Sequence, residues 1–312
     1  MPYRHVPVML KETLHYLNCI PGKIFADGTL GGAGHSKAIL EKILPTGLLV
    51  GIDQDLDSIK NAATALKPYL SNVHLFHGNF IHLPDFLSQL NIDAVDGILL
   101  DLGLSLHQLR SSGRGFSFNS DEALDMRMDI TSSQKAEDIV NSAKEEELRK
   151  IFYTFGEERW ARQIARKIIT VRKHDKICSS RQLSEIICEA IPKRMARSQK
   201  IHPATRVFMA LRIAVNKELE RLESFLEMAE DLLNPGGRLC VIAFHSLEDR
   251  LVKRKFKALE KECVCPPNFP KCVCEEKKKG RSLTRKVVRP TEEEIAINPM
   301  ARSARLRAFE KS

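Results

Sequence analysis

Asp27-Gly28-Thr29-Leu30-Gly31-Gly32-Ala33-Gly34-His35-Ser36 follows an apolar run, opens on an acid, passes through four glycines and enters a helix-like segment. Such a stretch reads as a strand–turn–helix corner that lets a ligand approach the backbone closely. Its glycines allow positive φ and remove the Cβ atoms that would block a bound molecule. The first amides of the following helix then point at whatever sits there.

Working outward, the same grammar repeats. Ile24 to Asp27 reads as a first strand and Ser36 to Leu44 as a helix stopped by Pro45-Thr46-Gly47. Leu48 to Asp53 is a second apolar run ending in an acid, followed by a helix from Asp57 to Leu66 that halts near Pro68. Val73 to His77 reads as a third strand, leading into Gly78-Asn79-Phe80, and Asp96 to Asp101 as a fourth. Strands alternating with helices at this spacing imply a parallel sheet covered on both faces.

The alternation then stops until Arg238 to Phe244. That interval is far longer than an ordinary connection, so it must carry its own structure. Gln134–Ala143, Glu145–Phe155, Glu157–Val171, Arg181–Ile191 and Ala204–Leu233 all show helical apolar spacing. The fold expected is α/β, a Rossmann-like sheet with an inserted all-helical domain. The sheet domain is assigned residues 1–109 and 211–312, the insertion residues 110–210. The last of those helices, near 28 residues or ~42 Å, is expected to run back into the sheet domain. Gly280 to Arg289 reads as a basic loop and Leu306 to Glu310 as a final edge strand.

Of 312 residues, 49 are Lys or Arg and 40 are Asp or Glu, for a net charge of +9. Between Arg250 and Arg289 there are 14 basic residues against 4 acidic ones, and between Lys193 and Arg212 there are 6 basic residues and no acids. Clustered positive charge attracts polyanions, and two such clusters beside a ligand corner point to nucleic acid. No run approaches the ~18 apolar residues of a membrane span. Met1 to Lys11 lacks the apolar core of a secretory signal. A soluble, cytoplasmic protein with no membrane partner is expected; monomer and homodimer are equally open.

Eight cysteines divide into two sets. Cys19, Cys178, Cys188 and Cys240 sit in apolar or helical patterns and read as small buried hydrophobes. Cys263, Cys265, Cys272 and Cys274 form a C-x-C-x6-C-x-C array. Four thiolates so close can hold zinc tetrahedrally, although the spacing is not the usual C-x2-C pair. A loop with four reduced thiols is the equal alternative.

Ligands of open α/β sheets bind at the carboxyl ends of the strands, where the corner, Asp53, Asn79-Phe80 and Asp101 all fall. Asp53 follows the corner by about twenty residues, where an acid typically accepts from ribose hydroxyls. A nicotinamide dinucleotide would call for G-x-G-x-x-G around a pyrophosphate. Here the glycines fall as Gly28-x-x-Gly31-Gly32-x-Gly34, opened by Asp27. A carboxylate repels pyrophosphate and suits the cationic methionine moiety of S-adenosylmethionine. Leu232 to Leu239, with Pro235-Gly236-Gly237 between helix and strand, also fits a methyltransferase sheet.

The segments Asp27–Ser36, Asp96–Gln108 (DGILLDLGLSLHQ), Gly113–Met128 (GRGFSFNSDEALDMRM), His202–Arg206 (HPATR) and Pro235–Lys253 (PGGRLCVIAFHSLEDRLVK) resemble the bacterial ribosomal RNA small subunit methyltransferase H family. Gly156-Glu157-Glu158-Arg159 and Asn298-Pro299-x-Ala301-Arg302-Ser303 match as well. The resemblance spans nearly the whole chain. It implies a class I methyltransferase sheet and methylation of the exocyclic N4 of a cytosine in the decoding region of 16S ribosomal RNA, with S-adenosylmethionine as methyl donor. Its partner would be small-subunit ribosomal RNA or the small ribosomal subunit itself.

On that resemblance the cofactor contacts fall on Ala33, Gly34, His35, Asp53, Phe80, Asp101 and Gln108. Two positions depart from the family. Ala33 stands where glycine is usual, and Leu106 stands where a serine is usual. Cytosine N4 is a poor nucleophile, because its lone pair is delocalised into the ring. An acceptor for one N4 hydrogen would orient it, and Asp101 is the choice, with a purely cofactor-holding role as the alternative. His245 and Ser246, at the end of the next strand, are the next acceptors. Phe116 and Phe118 are candidate stacking faces for a base that has left its stack, or else pins of a loop to the core. Arg194, Arg197, Lys200 and Arg206 are candidate phosphate contacts, as are Lys253, Arg254, Lys255 and Lys277–Lys279. The alternatives to this activity are methylation of another nucleic-acid amino group and non-enzymatic RNA binding.

Overall fold

The computed structural model describes residues 7–192, 194–195, 201–262 and 278–312. The chain packs as two compact units, one formed by residues 1–103 and 220–312 and the other by residues 104–219.

The first unit is built on a seven-stranded sheet. In chain order its strands are β1 (Ile24–Asp27), β2 (Leu48–Asp53), β3 (Val73–His77), β4 (Val95–Asp101), β5 (Leu233–Ala243), β6 (Gly280–Ser282) and β7 (Arg305–Lys311). They lie in the order β3-β2-β1-β4-β5-β7-β6. The first five are parallel, and β7 runs antiparallel to both β5 and β6. This is a mixed α/β sheet with one antiparallel strand set between β5 and β6.

Side-chain alternation along the strands makes two apolar faces. Ala26, Val50, Ile52, Ile98, Leu100, Leu239, Val241 and Phe309 belong to one buried cluster. Their strand neighbours Phe25, Leu49, Leu99, Cys240, Ile242 and Ala308 belong to the other. The first face is covered by α4 (Leu83–Gln89), α11 (Glu218–Met228) and α12 (Ser246–Leu259), through Leu87, Phe225 and Phe256. The second is covered by α1 (Leu10–Leu17), α2 (Gly34–Ile43) and α3 (Leu56–Ala65), through Leu17, Leu40 and Ala62. Burial on both sides is why these strands read as continuous apolar runs.

The second unit is helical, with α5 (Leu106–Arg110), α6 (Ala136–Ser142), α7 (Glu145–Gly156), α8 (Ala161–Val171), α9 (Ser180–Ala190) and α10 (Thr205–Asn216). Its core includes Leu148, Phe152, Ile164, Ile168, Leu183, Ile187, Val207 and Leu211, all at most 1% exposed. At Gly156 the α7 backbone comes so close to α10 that a Cβ would lie 2.7 Å from the Arg206 carbonyl oxygen.

Several elements differ from the sequence expectation. The long helix over 204–233 is cut at Lys217, which takes a left-handed conformation with φ 50°. The reason is tertiary. Asn216 turns inward, donating to the Met126 carbonyl and accepting the Met128 amide, both at 2.8 Å. Strand β5 begins at Leu233 rather than Arg238, because Pro235-Gly236-Gly237 forms an irregularity inside the strand rather than a turn before it. Strand β7 is not an edge: Gly280–Ser282, expected as loop, pairs outside it. Cys240 is buried as expected, but Cys178 is exposed. Among the described residues no helix is long and apolar enough to cross a membrane. The four cysteines at 263, 265, 272 and 274 lie outside the described residues, as do Arg197 and Lys200.

Candidate active site

The glycine corner is a knot of backbone amides around buried acids. Asp27 ends β1 and is 1% exposed. It accepts the Thr29 amide at 3.1 Å and the Ser36 hydroxyl at 2.6 Å. Asp53 ends β2 and is 9% exposed. It accepts the Gly31 amide at 2.8 Å on one oxygen and the Asp55 amide at 2.8 Å on the other. Asp101 ends β4; its amide donates to the Thr29 hydroxyl at 2.6 Å, and that hydroxyl also bonds Asp27. One carboxylate is therefore wired to the backbone of the next.

Gly28 is needed for packing rather than for ligand access. A Cβ there would lie 2.6 Å from Leu100 Cδ2 and 2.8 Å from Phe80 Cβ. Phe80 is accordingly buried beneath the corner, edge-on to Phe225 at 5.3 Å. Gly31, with φ +48°, has only the Thr29 carbonyl oxygen near the position of a Cβ, at 3.9 Å. Ala33 adopts φ 61°, a left-handed conformation, and is the N-cap of α2 without a side-chain cap. Its own amide donates to the Leu30 carbonyl at 2.7 Å, which closes the turn. Gly34 lets the chain pass Pro7, whose Cδ would be 3.0 Å from a Cβ.

His35 links the corner to Asp101. Its Nε2 lies 2.9 Å from the Val8 carbonyl oxygen and its Nδ1 lies 3.5 Å from Asp101 Oδ2. The other Asp101 oxygen, Oδ1, is shielded from solvent and has no hydrogen-bond partner among the described residues. Burial raises all three carboxyls. Asp27 and Asp53 are each pushed up to about 6, the second also by the charges of Asp55 and Asp27. Asp101 is pushed well above the ordinary carboxylate range by burial, then by Asp27 and Glu248. Three acids crowded at the rim of one sheet make a site that favours a cation.

His245 pairs with Glu248, the acid whose charge also acts on Asp101. It is the N-cap of α12, with Nδ1 toward the Glu248 amide at 3.5 Å and Nε2 3.2 Å from Glu248 Oε1. Glu248 in turn accepts the Phe244 and His245 amides at 2.9 and 3.3 Å. Both ring nitrogens thus face the histidine's own helix, and Ser246 opens that helix.

In the helical unit, Gln108 closes a capping box with Ser105 at the start of α5, its Oε1 accepting the Ser105 amide at 2.9 Å. Leu106 is the first residue of that helix. Phe116 is 6% exposed and packs in the unit's core, with the Arg114 guanidinium 5.6 Å from its ring centroid. Phe118 stacks on His202 at 4.5 Å and meets Phe208 edge-on at 5.4 Å. His202 itself is exposed. Arg194 is exposed, and Arg206 is half-buried on the second residue of α10.

A family model described as the MraW methylase family matches residues 2–312. The chain belongs to that family. Its relatives include the ribosomal RNA small subunit methyltransferase H of Desulforapulum autotrophicum, 55% identical over 307 residues and covering 98% of each chain. The protein of the same name from Desulfosudis oleivorans is 53% identical over 311 residues and covers all of both chains. That from Halothermothrix orenii is 49% identical over 307 residues, again 98% of each chain.

For this MraW-family chain, two residues of interest escaped the sequence reading. Thr29 bridges Asp27 and Asp101, and its only signal was its place inside the glycine corner. His202 presents the outer ring of the Phe118 stack, and its signal was the His202-Pro203 start of an otherwise basic helix entry.

Proposed function

We propose that this chain transfers a methyl group from S-adenosylmethionine to the exocyclic N4 of a cytosine in the decoding region of 16S ribosomal RNA, acting in the cytoplasm. Family membership and the names of the relatives support a ribosomal RNA methyltransferase. The observation that carries the site assignment is the solvent-shielded, unpartnered Oδ1 of Asp101, beside two further buried carboxyls at the same rim.

The residues present fit the donor. Asp53 spends one lone pair of each oxygen on a backbone amide and keeps capacity to accept ribose hydroxyls. The first turn of α2, uncapped by any side chain, suits the carboxylate of the methionine moiety. Asp27, Asp53 and Asp101 together suit its positive sulfur. When bound, S-adenosylmethionine supplies an electrophilic methyl whose bonding pair returns to sulfur as the bond to nitrogen forms.

The protein's part is orientation and proton handling. Placing the amine in line can supply ~7–11 kcal/mol of the barrier, so no covalent nucleophile on the protein is needed. Asp101 Oδ1 accepts one N4 hydrogen, which orients the amine and localises its lone pair. The same carboxyl receives the proton that the methylated nitrogen sheds. Thr29 holds the Asp101 backbone, and His35 holds its other oxygen. In the helical unit, which we assign to RNA recognition, the exposed His202 ring backed by Phe118 offers a stacking face. Arg194, exposed, and Arg206, half-buried, are assigned to phosphate contacts, and Arg197 and Lys200 are assigned the same role from their sequence position.

The test is mass mapping of modified cytosines in small-subunit RNA from cells with and without the protein. One N4-methylated cytosine should disappear in its absence. Unchanged maps would refute the reading. In parallel, Asp53→Ala should abolish calorimetric binding of S-adenosylmethionine.

A further inference from the structure

We infer that the groove between α12 and the segment around β6 binds the phosphate backbone of the RNA, well away from the glycine corner. The inference rests on the RNA reading above, though not on which base is modified. The groove has a volume of about 1070 Å³, and its floor includes Phe256, Leu283 and Thr284. Strand β6 is four places from β1 in the sheet, which at about 4.8 Å per strand puts the groove on the order of 19 Å from the corner.

The charges along this stretch sort into two kinds. Arg254 and Lys255 face α11, where they pair with Glu223 at 2.6 Å and Glu227 at 2.7 Å. Arg281 pairs with Glu310 at 2.7 Å, and Arg307 with Asp249 at 2.6 Å. These hold the fold. Lys253 and Lys257, one helical turn apart on α12, line the groove instead, and Lys278, Arg285 and Lys286 line it from the other side. All five are exposed, and among the described residues none has an acidic partner. Glu260 is the one acid among the described lining residues, and its Oε1 accepts the Ser282 amide at 2.6 Å.

Five cations against the single charge of Glu260 among the described lining residues leave a net positive groove, and a polyanion laid between the two walls relieves their mutual repulsion. A phosphodiester strand meets the requirement with one charge per nucleotide. Lysines act there as point charges that grip phosphate without reading sequence. A stacked strand rising about 3.4 Å per nucleotide needs on the order of six nucleotides to run from corner to groove. The groove therefore predicts a length requirement that the reacting base alone would not impose.

The test uses the full chain and a triple variant, Lys257→Glu with Arg285→Glu and Lys286→Glu, all at exposed positions. The probes are a fluorescent single-stranded RNA of 24 nucleotides, a 3-nucleotide RNA and a polyglutamate peptide, titrated across KCl concentrations. For the long RNA, the slope of log affinity against log salt should fall by about 2 in the variant, as expected for three lost phosphate contacts. Affinities for the 3-nucleotide RNA, too short to run from corner to groove, and for S-adenosylmethionine should not change. An unchanged slope for the long RNA in the variant would overturn the groove assignment alone. Failure of the unaltered protein to bind either RNA would overturn the RNA reading itself. Loss of polyglutamate binding with RNA binding intact would reassign the groove to an acidic protein and refute the inference. If the triple variant does not fold, Lys253→Gln with Lys257→Gln carries the same comparison.

Discussion

His35 Nδ1 stands 3.5 Å from Asp101 Oδ2 while its Nε2 faces the Val8 carbonyl oxygen at 2.9 Å. A carbonyl only accepts, so Nε2 must carry a hydrogen. Nδ1 then confronts a carboxylate oxygen, and a proton must lie between the two or two lone pairs face each other. Burial, with Asp27 and Glu248 nearby, already makes Asp101 hard to ionise. On the proposed reading, the imidazole shares that proton with the carboxyl.

Asp101→Asn keeps the shape and removes the base. Turnover on a small-subunit RNA fragment should fall by about 10²–10⁴, with S-adenosylmethionine affinity changed less than about tenfold. Single-turnover kinetics and calorimetry separate the two. Turnover within tenfold of the unaltered enzyme would remove Asp101 from proton transfer.

His35→Ala takes away the group that shares the Asp101 proton. The carboxyl then ionises only at higher pH, so the acidic limb of the kcat–pH profile should move upward. A uniform loss of rate with the limb in place would show that His35 only supports the loop.

Cofactor affinity should depend on pH through Asp27 and Asp53, both pushed up to about 6. As pH falls through that value the carboxylates are protonated and attraction for a positive sulfur is lost. S-adenosylmethionine should therefore weaken more steeply below pH 6 than S-adenosylhomocysteine, whose sulfur is neutral. Parallel curves in calorimetric titrations would argue against a charge-based pocket.

The same shifts act on the ligand-free fold with the opposite sign. Between about 3.8 and about 6 the native Asp27 holds a proton that the unfolded chain has released. Stability then declines as pH rises through this window. Asp27→Asn removes the titration, so the slope of its unfolding free energy against pH should be more positive by up to about one proton there. Identical slopes would mean that Asp27 is not raised.

Gly28→Ala should cost about 1–3 kcal/mol, because the new methyl meets Leu100 and Phe80 inside 3 Å. Denaturant titration measures the loss. A neutral outcome would require the β1 end to shift and would be visible as weakened cofactor binding.

The sheet was legible because its strands are covered on both faces, so apolar runs ending in Asp27, Asp53 and Asp101 announce both the strand and its functional end. The glycine corner carried the cofactor reading for the same local reason. What stayed hidden depends on distant partners. The break at Lys217 follows from Asn216 reaching backbone about 90 residues away, and lysine gives no local signal for positive φ. Strand β6 exists because β7 offers it an edge, not because Gly280-Arg281-Ser282 favours extension. Within the site, Ala33 and His35 were marked, but the bond from the Ala33 amide to the Leu30 carbonyl that closes the turn was not. The pairing of His35 with Asp101 needed the corner folded against β4. The basic run after Arg250 was visible in the sequence, yet only packing separates Lys253 and Lys257 from Arg254 and Lys255.

The Val8 carbonyl that anchors His35 adjoins Met9, whose amide is held by Glu294 at 2.6 Å. The ring beside the reacting carboxyl is thus braced by residues made at nearly opposite times during translation. On the proposed reading, a nascent chain stays catalytically silent until synthesis has passed α13 (Glu292–Ile297).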